Sequence, residues 1–199
     1  MLVVISNPVQ IEEEARYING LFKAGLQFFH LRKPGCSIKE TEYLLDCIDR
    51  EHHSKIALHQ HHQISDKRGI KRLHFTEHLR KETNPKMLSR YADEGFILST
   101  SIHHMEAYNT LHHSFSYCFI GPLFNSISKI NYQANSKLMR IVQKETSNNP
   151  KRIAIGGIDG SKITEVKALG YGGAAILGAI WSKPAQSVST FKKIQDLWI

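Results

Sequence analysis

The sequence predicts an α/β protein of the (β/α)8 TIM barrel class, and three observations predict it. Short apolar segments alternate with amphipathic ones along the whole chain. Eight apolar segments can be counted, each followed by a helix or a loop. They are apolar along their length rather than at every second position, as strands buried on both faces of a parallel sheet must be. A doubly wound, flavodoxin-like sheet would leave about three units over. Eight units favour the closed barrel, although 199 residues is short for one. No linker or low-complexity segment interrupts the pattern, so residues 1–199 read as one domain.

The elements follow in order. LVVIS (2–6) is a strand, and 11–25 an amphipathic helix with Ala15, Ile18, Leu21 and Phe22 on one stripe. LQFFHLR (26–32) is a strand. Residues 37–52 form a helix that opens on a capping box of Ser37 and Glu40. KIALHQ (55–60) and RLHF (72–75) are strands with a short helix between them, and 84–92 is helical. GFILSTS (95–101) is a strand and 103–113 a helix. YCFIGPLF (117–124) runs from strand into loop, and 135–146 is a helix. RIAIGGI (152–158) is a strand ending in two glycines. Residues 159–170 are a helix with Gly170 as its C-cap. GGAAILGAI (172–180) is the last strand and 185–198 the last helix.

Composition narrows the function. The formal charge of +8 admits nucleic acid, an anionic surface or an anionic small molecule. Its basic residues are dispersed, with KRGIKR (67–72) the densest cluster, and no nucleic-acid-binding signature is present. A phosphorylated small molecule needs only a few of those charges. The three cysteines, Cys36, Cys47 and Cys118, are odd in number and far apart, which suits a reducing cytoplasm better than a disulfide framework. MLVVISNP has neither the basic start nor the cleavage site of a signal peptide, and no apolar run spans a bilayer.

Barrels of this class do their chemistry at the C-terminal ends of the strands. Those ends carry His30 and Arg32, then His59 and Gln60, then His74, then Ser101 with His103 beyond. GPLFNSISK (121–129), Gly156-Gly157 and Gly178 follow. Each alone is most simply the start of a loop; together they describe a site. Glycines after the seventh and eighth strands fall where such barrels hold a phosphate. Ser126, Ser128 and Lys129 add two hydroxyls and a cation suited to phosphate oxygens.

These motifs resemble the thiamine phosphate synthase / TenI (thiazole tautomerase) family. GPLFNSISK is similar to its GP-x-F-x-T-x-T-K loop, with Ser126 and Ser128 at the two Thr positions. IAIGGI (153–158) and ILGAI (176–180) resemble its seventh- and eighth-strand motifs. LRK in FFHLRKPG resembles L-R-x-K, Ser101-x-His103 resembles S-x-H, and RLHF resembles G-V-H-L. The order and spacing hold from the second strand to the eighth.

The resemblance implies two chemistries. The synthase joins a pyrimidine methyl pyrophosphate to a thiazole phosphate. It requires Mg²⁺, held by an Asp of an N-D motif after the third strand and another Asp after the fourth, hard oxygen donors as that ion prefers. Here His59 falls on the Asn position, Gln60 on the first Asp and Leu79 on the second, with Glu77 nearby. Pro34 takes the place of the family Lys, with Lys33 adjacent. The tautomerase needs no cofactor. It moves a proton on a thiazole carboxylate phosphate, a task for a base of near-neutral pKa such as histidine. The resemblance therefore implies His103 as base, with Arg32 and Lys129 beside it in the catalytic set. His30, His59, Ser101, Ser126 and Ser128 are implied to contact the substrate, and Gly156, Gly157, Gly178 and Ala179 the phosphate. His74 reads as a core or rim histidine.

The run LHQHHQIS (58–65) is not expected to be a metal site, because the family uses no transition metal; zinc or nickel on paired neutral imidazoles is the minor alternative. The preferred reading is a TenI-like tautomerase of thiamine biosynthesis. The alternatives are thiamine phosphate synthase and a non-catalytic paralogue that binds thiazole phosphate and regulates. The expected partner is a phosphorylated thiazole, with no nucleic acid and no membrane. The resemblance also suggests a dimer or other small homo-oligomer in the cytoplasm.

Overall fold

A computed structural model describes residues 1–125 and 150–199. Eight parallel strands close into a barrel in sequence order: β1 (Leu2–Ile5), β2 (Phe29–Leu31), β3 (Ile56–Leu58), β4 (Arg72–Phe75), β5 (Ile97–Ile102), β6 (Phe115–Ile120), β7 (Lys151–Ile155) and β8 (Gly173–Ile176). β8 returns to pair with β1 in the register Leu2↔Ala174, Val3↔Ala175, Val4↔Ile176. The barrel expected from the eight apolar runs is the one found.

The helices are α1 (Glu14–Lys23), α2 (Ile38–Asp46), α3 (Glu77–Glu82), α4 (Pro85–Asp93), α5 (Ile163–Ala168), α6 (Gly178–Trp181) and α7 (Ser187–Trp198). The capping box forms as read: the Ser37 hydroxyl accepts from the Glu40 N–H, and the Glu40 carboxylate accepts from the Ser37 N–H. Gly170 follows α5 with φ +76° and donates to the Lys167 carbonyl, as a C-terminal cap does.

Three segments differ from expectation. Between His103 and His113 there is one 3₁₀ turn, Met105–Ala107, instead of a helix. The Thr110 hydroxyl donates to the Ala107 carbonyl and competes with the helical ladder, and the Tyr108 hydroxyl is anchored on the Pro150 carbonyl. The eighth strand stops at Ile176, and Gly178–Trp181 turn into α6. α3, not foreseen, starts on Thr76, whose hydroxyl accepts from the Leu79 N–H. The helix expected at 135–146 lies outside the described residues.

Two apolar layers hold the barrel. Phe22, Phe29, Leu45, Ile56, Leu73 and Phe191 belong to a large buried cluster between strands and helices. Val3, Ile5, Tyr117, Phe119, Ile153 and Ala175 form a second, inside the barrel. No helix among the described residues is long and apolar enough to cross a membrane.

Candidate active site

The strand ends open into a cavity of about 570 Å³. Arg32, His59, His74, Ser101 and His103 line one side, and Gly156, Gly157 and Gly178 the other. Most of the residues singled out in the sequence therefore reach one place. Two exceptions are His30, which lies just beneath, and Ala179, whose side chain packs against the outer core. Ser126, Ser128 and Lys129 lie outside the described residues.

The floor is made of imidazoles. His30, His59 and His74 come from the ends of β2, β3 and β4 and are 0%, 4% and 0% exposed. His30 Nδ1 lies 2.8 Å from His59 Nε2, and His30 Nε2 lies 2.8 Å from the Tyr117 hydroxyl. The His59 and His74 rings stack with centroids 3.9 Å apart. His74 sits between two hydroxyls, Ser99 on Nδ1 and Ser101 on Nε2, each at 2.9 Å. Ser101, expected to touch substrate, thus also holds His74. Burial pulls the His30 pKa down to about 3, with Arg72 adding to it. Burial, then the neighbouring rings and Arg32, pushes His59 and His74 well below the usual histidine value. All three are neutral at neutral pH. The sequence reading left His74 out because a lone histidine in a strand carries no signal. Its two-residue parity with Arg72, and its position opposite the SxS of Ser99 and Ser101, could have placed it inside the barrel.

His103 stands at the rim, with its side chain 48% exposed. Its Nδ1 lies 2.8 Å from the Gly121 carbonyl, which can only accept, so Nδ1 carries a proton and Nε2 is the nitrogen left for proton exchange. Glu77 Oε2 is 3.9 Å from that Nε2. A hydrogen bond from Lys81 holds Glu77 below the usual carboxylate range, with the Lys81 and His103 charges adding to the effect. The rim therefore sets an imidazole beside a carboxylate that favours its ionised form.

The positions that the resemblance assigns to Mg²⁺ do not fit that ion. Gln60 turns its side-chain oxygen to the Lys33 N–H at 3.2 Å, and Leu79 packs against the apolar core. Among the described residues Glu77 is the one carboxylate on the cavity, and Lys81 already occupies it. Lys33 does not replace the absent lysine at position 34 either. Its ammonium is buried against both Glu14 oxygens, at 2.6 and 2.5 Å, and donates to the Val9 carbonyl at 2.9 Å. Arg32 remains on the cavity. Its backbone is fixed by Ser6, whose hydroxyl accepts from the Arg32 N–H and donates to the Arg32 carbonyl.

The glycine pair after β7 is set by the backbone. Gly156 and Gly157 have φ of +98° and +65°. A Cβ on Gly156 would meet Pro122 at 2.7 Å, and one on Gly157 would collide with the Asn125 carbonyl. The two glycines let the β7 turn lie flat against the loop after β6. They face the cavity while doing so, and the tight-turn and anion-site readings are not exclusive.

His61 and His62 go elsewhere. His61 donates to the Cys36 carbonyl from a left-handed backbone position with φ +56°, and His62 donates to the Leu58 carbonyl. Of the LHQHHQIS histidines, His59 alone reaches the cavity.

No curated protein sequence matches the chain. Among solved structures it is similar to a thiamine phosphate pyrophosphorylase from Bacteroides thetaiotaomicron, with 27% identity, a TM-score of 0.79 and coverage of 98% of this chain and 96% of that one. A thiamine phosphate pyrophosphorylase from Pyrococcus furiosus shares the fold at 15% identity and a TM-score of 0.77, over 99% of this chain and 94% of that one. A 3-hexulose-6-phosphate synthase shares it at 12% identity and a TM-score of 0.67, over the full length of both. The family model described as thiamine monophosphate synthase matches residues 2–180, and the chain belongs to that thiamine monophosphate synthase/TenI family.

Proposed function

We propose that the protein is a TenI-like tautomerase that moves a proton on a thiazole carboxylate phosphate and turns a non-aromatic ring isomer into the aromatic one. The observation that carries this reading is His103, an imidazole on the cavity rim whose Nδ1–H is bonded to the Gly121 carbonyl and whose Nε2 lies 3.9 Å from the Glu77 carboxylate. The Gly121 carbonyl fixes the ring through Nδ1 and leaves Nε2 to exchange a proton, with Glu77 close enough to bond the imidazolium that forms. Nε2 takes the proton from the ring carbon, Glu77 stabilises the imidazolium, and the same nitrogen returns the proton at the other end of the conjugated system. Arg32 suits the substrate carboxylate. The rim of Gly156, Gly157 and Gly178 suits the phosphate, with Ser126, Ser128, Lys129 and Ala179 assigned there by the motif alone. The lack of carboxylates at positions 60 and 79 supports a reaction without pyrophosphate or Mg²⁺.

Thiamine phosphate synthesis is the second reading, favoured by the similarity to the Bacteroides pyrophosphorylase. A paired assay separates the two. One reaction holds the pyrimidine pyrophosphate, thiazole phosphate and Mg²⁺; the other holds the non-aromatic thiazole carboxylate phosphate alone, followed by its ultraviolet change. Aromatisation that added Mg²⁺ does not accelerate is expected, and His103→Ala should slow it roughly 10²–10⁴-fold with the fold intact. Thiamine phosphate in the first reaction alone would establish the synthase. Binding of a thiazole phosphate without turnover in either would make the protein a regulator.

A further inference from the structure

The floor of the cavity has a feature that the proposed proton transfer does not use. His30, His59 and His74 project from three successive strands, and each offers a ring nitrogen within 4.8 Å of the other two. We propose that these three imidazoles are a binding site for a first-row transition-metal ion of the Zn²⁺ class, with a fourth coordination position open to the cavity.

The ligand chemistry fits. Imidazole nitrogen is a preferred donor for zinc, and three protein ligands with one open position are the pattern of ions that meet small molecules. Ligand nitrogens at about 2.0–2.1 Å from a tetrahedral ion stand roughly 3.3 Å apart. The His30–His59 pair is already closer, at 2.8 Å. Completing the site takes side-chain rotation of His74 and His59 out of their stack, because the three nitrogens are gathered within 4.8 Å but not all at ligand spacing. Metal-bound imidazoles usually keep a hydrogen-bond partner on the other nitrogen, which orients the ring. Tyr117 supplies that partner for His30, and Ser99 or Ser101 for His74. His59 Nδ1 is buried and has no hydrogen-bond partner among the described residues.

The charge balance says what else the ion would hold. Three neutral ligands leave an ion at +2 inside the barrel. The nearby Arg32 raises the demand for a counter-anion, and Glu77 is the only carboxylate lining the cavity among the described residues. The open position therefore favours hydroxide, or a carboxylate or phosphate oxygen from a ligand in the cavity. This assigns a site and a ligand class, not a step in the reaction, and it stands whichever branch of the family the protein belongs to.

The test uses the full chain without a histidine tag, stripped with EDTA and titrated with Co²⁺. One ion per chain is expected, with visible bands of a low-coordinate cobalt site that Zn²⁺ displaces. His59→Gln and His74→Gln should each weaken Zn²⁺ affinity by more than roughly 100-fold, beyond the roughly 10–100-fold that loss of an orienting partner costs. The paired surface histidines serve as control: His112→Gln with His113→Gln should leave affinity unchanged. Binding lost in that control and kept in the floor variants would overturn the assignment, as would no binding at all. X-ray absorption at the zinc edge on unaltered protein tests the same claim without relying on a variant that folds. Three imidazole ligands are expected, and one or none would overturn it.

Discussion

The inside of the barrel has two unlike halves. β6, β7, β8 and β1 contribute Phe119, Ile153, Ala175, Val3 and Ile5, apolar side chains that pack as an ordinary core. β2 to β5 and the residues just past them contribute His30, His59, His74 and Ser99, polar groups just as deeply buried, with the half-buried Ser101 beside them. Both halves exclude water, by different physics. The apolar half is stabilised by area and shape and is indifferent to pH. The polar half is stable only while its hydrogen bonds are made and its rings stay uncharged. Tyr117 joins the two, with its ring in the apolar cluster and its hydroxyl on His30. Burying polar groups costs stability that apolar packing would not, so the polar half is the part of the barrel built as a site.

The comparison can be broken first on the apolar side. Phe119 is 1% exposed and lies against His30 and His74. Phe119→Ala should cost about 3–5 kcal/mol, measured by denaturant unfolding, and the loss should be the same at pH 5 and pH 8. A loss that depends on pH would mean that the cavity lets water reach the imidazoles and that the halves are not independent.

On the polar side the expected loss is smaller and of another kind. Ser99→Ala removes the hydroxyl partner of His74 Nδ1 with little change of volume. About 1–3 kcal/mol should go, the cost of a buried polar atom left without a partner. An unchanged midpoint would show that water or Ser101 replaces the bond. His30, His59 and His74 also make stability fall with acid. The folded pKa of His30 is lowered from 6.5 to about 3. Between those values the unfolded chain binds a proton that the folded chain refuses. Stability is therefore full above about pH 6.5 and declines as pH falls toward 3, by about 1.4 kcal/mol per pH unit for one such group. Unfolding followed from pH 7 to 4 with chelator present should show at least that slope, and His30→Gln should remove one group's share of it. A flat profile in the unaltered protein would place solvent at the ring.

These halves were legible in the sequence to different degrees. The apolar strands announced themselves by composition, and their count gave the barrel. The polar half was visible only as scattered histidines at strand ends. His30, His59 and His103 were singled out because motifs or strand ends drew attention to them. His74 was read as a core or rim residue, and its contact with Ser99 and Ser101 depends on the register of β4 against β5, which no local pattern encodes. Lys33 shows the converse failure. Adjacent to the vacant lysine position, it looked available, yet one residue of offset on a strand end turns a side chain to the other face, and it meets Glu14 on α1 instead. The helix expected after His103 failed because Thr110 and Tyr108 spend their hydroxyls on carbonyls.

The finest difference lies within the polar half, between its floor and its rim. The floor is neutral and buried at the base of the cavity, whereas the rim pairs His103 with Glu77 in partial contact with water. At about 4 Å, two unit charges attract by about 1 kcal/mol in water and several times that near a protein surface. With His103 half exposed, the lower figure governs. Glu77→Gln should therefore slow the proposed proton transfer by roughly 5-fold, because the carboxylate helps only once His103 is protonated. The Michaelis constant should stay as it is if the group acts on the imidazolium and not on the substrate. A rise in that constant with kcat unchanged would instead make Glu77 a binding residue. A loss of 10³-fold would mean that Glu77, and not His103, takes the proton.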